Sequence, residues 1–141
     1  MQEYVATAVI DAPPNAVWDI LVDADGYRRW NPEITAIYGD IDLGEKITAQ
    51  VHIGAGVIRK VGMRVTGFAP PSRMEWTGGL PFGLLVGRRT FTVTPRGNGT
   101  EFRLHLEMSG PLSGPIGKSV GDRQPEVDSF AAALKKRAEQ R

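Results

Sequence analysis

The sequence has 141 residues, a length typical of one domain that can bury a core of its own. Its 17 Lys and Arg residues and 16 Asp and Glu residues leave a formal net charge of +1, which disfavours nucleic acid as a partner. Cysteine is absent, which excludes disulfides, thiolate nucleophiles and iron–sulfur clusters. We recognise no leader pattern and no run near the roughly 18 apolar residues of a membrane span, so we expect a cytoplasmic protein.

The first part of the chain predicts one strand followed by two short helices. Residues 4–11 alternate in the manner of a β-strand, and Pro13 and Pro14 then suit the first turn of a helix. The apolar residues of this helix share one face: Val17, Ile20 and Leu21. A second helical turn over residues 23–30 ends before Pro32, because proline disfavours helix in the residue that precedes it.

The middle of the chain alternates with period two and predicts antiparallel strands joined by turns. The last hairpin turns through residues 95–99, and pairing Phe91 with Leu104 keeps both of its alternating patterns in phase. That register places Arg89 on the apolar face, opposite Leu106. Because an unpaired buried guanidinium is costly, we expect Arg89 to reach water, find an acid or meet a polar ligand.

The C-terminal part predicts a long amphipathic helix. Its apolar positions follow helical spacing: Val127, Phe130, Ala131, Leu134 and Ala138. Pro125 either kinks this helix or stands just after its start. The pattern assigns no structure to residues 116–124, within a Gly/Pro-rich segment.

Several short motifs do not meet the requirements of the sites they suggest. A Gly-Lys-Ser sequence begins at Gly117, but Leu112 stands where a phosphate-binding loop needs glycine. The Gly-x-Gly at residues 54–56 lacks the third glycine of a dinucleotide-binding loop. His52 and His105 are predicted on outward strand faces, and no cysteine could complete a zinc site around them. We therefore expect no metal and no cofactor.

Five segments spread over the chain carry a family pattern: IDAPPNAVW (10–18), DADGYRRWNP (23–32), GRRTFTVTP (87–95), GT (99–100) and LKKRAE (134–139). They resemble the START-like superfamily, also called SRPBCC or polyketide cyclase/dehydrase-like. The resemblance implies an α+β helix-grip fold over residues 1–141 as a single domain. In that fold a curved antiparallel β-sheet of about seven strands wraps around a long C-terminal α-helix, with a cavity between them. Members bind lipids, sterols, polyketides, plant hormones or quinones, catalyse cyclisation, or assist chaperones.

The residues predicted to line the cavity lie on inward strand positions or on the inner face of the last helix: Met63, Val65, Met74, Trp76, Phe91, Leu104, Leu106, Met108, Val127, Phe130 and Leu134. Each of them could instead simply fill the core. Arg89 is the predicted polar contact to a ligand, and the competing interpretation is that it lies near the strand end and reaches water. Arg59, predicted to point inward near a turn, is a second basic candidate.

These patterns favour a small protein that binds an apolar or amphipathic molecule of lipid, polyketide or quinone type. We expect it to act as a monomer or weak homodimer. A polyketide cyclase or dehydratase is the first alternative, although the inward face lacks His, Cys and paired acids. An interaction module that activates a chaperone ATPase is the second alternative.

Overall fold

The computed structural model describes residues 1–53 and 56–140, so the predicted turn at residues 54–56 lies largely outside the described residues. Within these ranges the elements follow one another in this order: β1 (Gln2–Ile10), α1 (Pro14–Val22), α2 (Tyr27–Trp30), β2 (Ile34–Tyr38), β3 (Lys46–His52), β4 (Ile58–Ala69), β5 (Arg73–Leu80), a 3₁₀ turn (Pro81–Gly83), β6 (Leu85–Arg96), β7 (Gly99–Ser109), α3 (Ser113–Val120) and α4 (Gln124–Glu139). Among the described helices, none combines the length and apolar composition that a bilayer span requires.

The strands form one antiparallel sheet in the order β1-β7-β6-β5-β4-β3-β2. The first strand therefore pairs with the last, and α1 and α2 carry the chain across to the opposite edge. Register shifts between Ile34 and Ala36 and between Val65 and Gly67 mark irregularities in the ladder, and such bulges bend and twist a sheet. The predicted α+β helix-grip architecture is confirmed.

The last hairpin has the register that its alternation predicted. Phe91 lies opposite Leu104, and Arg89 lies opposite Leu106. A shift of one residue would turn the apolar side chains of one strand towards solvent, so the buried face specifies the pairing. The prediction for this hairpin is confirmed.

Helix α4 covers the inner face of the sheet through aromatic contacts. The Phe130 ring is stacked on Phe102, with centroids 6.1 Å apart and planes 13° apart, and lies 5.7 Å from Phe91. Pro125 stands in the first turn of α4, where its missing N–H has no helical partner to lose. The helix thus starts just before Pro125, which was one of the two predicted arrangements. The unassigned residues 116–124 include the second part of α3, which begins at Ser113.

Candidate functional site

A cavity of about 180 Å³ lies on the inner face of the sheet, near the C-terminal ends of β3, β5 and β7. Most of its wall is aliphatic and comes from β3, β4, β6 and β7: Val51, Val61, Met63, Leu85, Leu106 and Met108. Ile116 of α3 and Arg123, just before α4, complete the side facing the sheet. The predominance of aliphatic side chains suits the apolar part of a small molecule.

Two facing glycines leave part of the inner sheet surface without side chains. Gly78 of β5 lies opposite Gly87 of β6, and both line the cavity. A Cβ at Gly78 would lie 2.5 Å from the carbonyl oxygen of Gly62, so the backbone itself requires glycine there. At Gly87 the nearest atom to such a Cβ is the Gly78 oxygen, at an ordinary 3.8 Å. The backbone therefore accommodates a side chain at Gly87, and its absence keeps the cavity open.

A buried ion cluster borders the cavity. The Arg89 guanidinium donates to both carboxylate oxygens of Glu33, from Nη1 to Oε1 at 3.0 Å and from Nη2 to Oε2. Arg123 Nη2 donates to the same Oε2 at 2.9 Å. All three side chains are buried, and Glu33 is 1% exposed. Charge-assisted bidentate pairs of this kind are among the stronger hydrogen bonds in proteins.

The turn after α2 places Glu33 in the cluster. The side-chain oxygen of Asn31 accepts hydrogen bonds from the backbone N–H groups of Glu33 at 2.9 Å and Ile34 at 2.8 Å. This local bonding ends the helical pair and starts β2 with Glu33 facing inward. Tyr27 supports the same corner, because its buried hydroxyl donates to the Leu21 carbonyl at 2.6 Å. Burial holds the pKa of Tyr27 well above its ordinary value.

In this cluster the hydrogen-bond donors of the two arginines outnumber the acceptors of Glu33. Two guanidinium groups share the single carboxylate of Glu33, and the Nε of Arg123 is buried without a hydrogen-bond partner in the described part of the chain. Burial and the charge of Arg89 lower the pKa of Arg123, against the opposing influence of Glu33 and Glu126. Glu126 stands in the first turn of α4, and its Oε2 is likewise buried without a partner. Arg123 is thus the less satisfied of the two arginines.

The structure separates the predicted cavity residues into two groups. Met63, Arg89, Leu106 and Met108 line the cavity. The other apolar candidates are fully buried in the core instead: Val65, Met74, Trp76, Phe91, Leu104, Val127, Phe130 and Leu134. Their burial matches the competing interpretation that they fill the core.

The two basic candidates differ in their environments. Arg89 has found an acid, which was one of three expectations, and the competing interpretation that it reaches water is wrong because the residue is only 4% exposed. Arg59 pairs with Val51 near the start of β4 and so has the predicted inward parity, but it is exposed and does not line the cavity. The prediction that Arg59 contacts a ligand in the cavity is therefore not supported by its position. Alternation alone does not show where the cover of a sheet ends.

Glu33 and Arg123 are functional candidates that the sequence reasoning missed. They reach Arg89 from elements far along the chain, since Glu33 is 56 residues from Arg89 and 90 residues from Arg123. One signal was available: an inward arginine needs an acid, and Glu33 directly follows the Asn-Pro that ends the helical pair. No comparable signal identified Arg123.

A cluster of possible metal ligands lies outside the cavity. Glu3, His105 and Glu107 place their ligand atoms within 4.8 Å of one another on β1 and β7. Arg88 already lies 3.7 Å from the Glu107 carboxylate, and His105 lies 3.7 Å from Glu3. Partly exposed acidic groups commonly lie together without an ion, so the proximity of these three residues does not by itself indicate a metal site.

The curved antiparallel sheet wrapped around the C-terminal helix defines the helix-grip class of proteins. The cavity itself is bordered by α3 and Arg123 rather than by α4, where the prediction had placed it. The sequence profile of the family described as polyketide cyclase / dehydrase and lipid transport matches residues 1–139, and the chain belongs to this family. No curated protein matches the sequence.

Solved structures share the fold at low sequence identity. A START superfamily protein from Mycobacterium smegmatis superposes with a TM-score of 0.74 at 21% identity, covering 98% of this chain and 97% of that one. A protein from Mesorhizobium loti gives 0.75 at 18% identity, with 99% and 98% covered. The Aha1 dimer from Colwellia psychrerythraea gives 0.73 at 18% identity, with 99% and 97% covered. These similarities establish the START-like fold.

Proposed function

We propose that this protein binds a small apolar or amphipathic molecule, of lipid, polyketide or quinone type, in the cavity between the sheet and its covering helices. The observation that carries the proposal is Gly87, an inward strand position where the backbone accommodates a side chain and the sequence has none. Glycine in a strand interior costs roughly 0.5–1 kcal/mol relative to alanine. A ligand-binding role for the cavity explains why the protein has glycine at position 87 despite this cost.

The size and lining of the cavity support an apolar occupant. The 180 Å³ cavity is open to solvent on one side, and its aliphatic walls offer the water inside it few hydrogen-bond partners. Displacing such poorly bonded water by an apolar group favours binding. An apolar molecule would restore the missing dispersion contacts.

The test is native mass spectrometry of the protein purified from its own host, followed by denaturing extraction to identify any bound molecule. We expect a stoichiometric small molecule on the wild-type protein. Gly87→Leu places four carbons in the cavity and should abolish this bound mass. Gly62→Leu is the matched control, since Gly62 is exposed on β4 and a Cβ there meets no atom within 4 Å. Wild-type protein without bound mass, or Gly87→Leu with it, would contradict the proposal.

A cyclase or dehydratase activity remains the alternative hypothesis. Among the described residues, the titratable side chains that line the cavity are Arg89 and Arg123, and a charged guanidinium has no lone pair to act as a general base. Both oxygens of Glu33 accept hydrogen bonds from these arginines. The site therefore favours binding over proton transfer. A chaperone-related role has only the similarity of fold in its favour.

A further inference from the structure

The cavity wall includes the guanidinium of Arg123, whose Nε has no hydrogen-bond partner in the described part of the chain. We infer that the site takes a ligand with a single anionic oxygen group, a carboxylate, enolate or phenolate, which binds at Arg123 while its apolar part lies along the aliphatic wall. This inference rests on the proposed function and specifies the ligand class. Neither the family assignment nor the fold comparisons supply it, because they name no residue of this chain.

The hydrogen-bonding capacity of the cluster is unevenly used. A carboxylate has two oxygens and a guanidinium has five N–H donors. Both oxygens of Glu33 are taken by Arg89, and Oε2 also accepts from Nη2 of Arg123. Within the described chain, the side chain of Arg123 makes one hydrogen bond, through Nη2, and its Nε is buried without a partner. Arg123 is 6% exposed and lines the cavity, and its Nε is shielded from water.

The charge of the cluster sets the charge of the ligand head. Glu33 neutralises one of the two guanidinium groups, which leaves one positive charge in a low-dielectric environment. Glu126 is near enough to influence Arg123 electrostatically, but it forms no ion pair within 4.0 Å of Arg123 among the described contacts. Glu126 offsets part of the second positive charge from a distance, so the site offers at most one negative charge on the ligand a favourable environment.

The cavity volume limits the rest of the ligand. A volume of about 180 Å³ lies below the roughly 300–1,000 Å³ of pockets that enclose drug-sized ligands, so the cavity suits a small ligand. A short aliphatic chain or a single ring fits this space behind an anionic head. A longer molecule would extend through the open side of the cavity.

Octanoate and 1-octanol, titrated separately at pH 7.5 by calorimetry, test the inference because they share a chain and differ in the charged head. We expect the wild-type protein to bind octanoate at least about tenfold more tightly than 1-octanol, the factor typical of a charge-assisted hydrogen bond in a dry site. Arg123→Gln should abolish this preference while 1-octanol still binds. Arg59→Gln removes an exposed guanidinium outside the cavity and should keep the preference.

The Glu33–Arg89 pair remains intact in Arg123→Gln, so we expect the variant to fold. Should it not fold, Arg123→Lys carries the test, because it keeps a charge but loses the Nε–H donor and should weaken the preference several-fold. Equal binding of octanoate and 1-octanol by the wild-type protein would overturn the anionic head and leave the proposed function standing. A preference that survives Arg123→Gln would overturn the role of Arg123. Binding of neither probe would overturn both proposals.

Discussion

At Glu33, one buried carboxylate faces two buried guanidinium groups, and each of the three depends on the others. The Glu33 side chain is fully buried, whereas those of Arg89 and Arg123 are 5% and 7% exposed. Moving such groups out of water costs several kcal/mol for each ion, and their mutual attraction only roughly repays that cost. The cluster is therefore weak evidence for added stability. Its loss, however, would be strongly destabilising, because the remaining charges would be buried without compensation.

We expect Glu33→Gln to lower the free energy of unfolding by about 3–5 kcal/mol, because it leaves two buried cations without their shared anion. Urea denaturation at pH 7 measures the change. Glu101→Gln is the matched control, since Glu101 forms a 2.9 Å ion pair with Arg96 in which both side chains are largely exposed. That surface pair should be worth less than about 1 kcal/mol. Equal effects of the two substitutions would show that burial does not govern the cluster.

At the scale of elements, the β5–β6 pair combines two glycines that have different physical origins. Gly78 is dictated by the close approach of the Gly62 carbonyl, whereas Gly87 has ordinary space around its missing Cβ. Both lie on the inward face, directly opposite one another. The strand pair thus has one glycine required by packing and one that leaves room for the cavity.

This difference predicts opposite effects of the same substitution at the two positions. Gly87→Ala should raise the free energy of unfolding by roughly 0.5–1 kcal/mol, because alanine costs less backbone entropy in a strand. Gly78→Ala should lower it by roughly 1–3 kcal/mol, since the added Cβ would meet the Gly62 oxygen at 2.5 Å and the backbone would have to move. Thermal and urea unfolding of the two variants measure both effects. If both variants changed the free energy of unfolding by similar amounts in the same direction, Gly87 would be as tightly packed as Gly78.

At the scale of the whole molecule, local patterns predicted the elements and distant contacts determined the site. The alternation of β6 and β7 sufficed for the register that places Arg89 inward. Its partner could not be read in the same way, because Glu33 reaches it only after the sheet has brought β2 and α4 to the same interior. Alternation also misplaced Arg59, which has inward parity but lies beyond the covered part of the sheet. Periodicity describes a face of one element, and the extent of its cover depends on all the others.

Glu139 and Lys135 of α4 form hydrogen bonds with the chain at the end of β1, and we call this group of contacts the clasp. The Glu139 carboxylate accepts from the backbone N–H of Asp11 at 2.9 Å and from Lys135 at 2.7 Å, and Lys135 also donates to the Val9 carbonyl at 2.7 Å. These hydrogen bonds favour the ionised carboxylate and lower the pKa of Glu139 below its ordinary value of 4.5. The strength of the contact between α4 and the end of β1 therefore depends on pH.

The sign of that linkage follows from the lowered pKa. The stabilisation from Glu139 is fully present above about pH 4.5 and is lost as the pH falls through the lower pKa of the folded state. We expect Glu139→Gln to lower the urea midpoint at pH 7 and to reduce the loss of stability between pH 4.5 and pH 2. Glu45→Gln is a suitable control, because Glu45 is exposed and the described chain records no side-chain hydrogen bond or ion pair for it. If the wild-type protein and Glu139→Gln lost stability in parallel over that range, the clasp would not contribute to the pH dependence of folding.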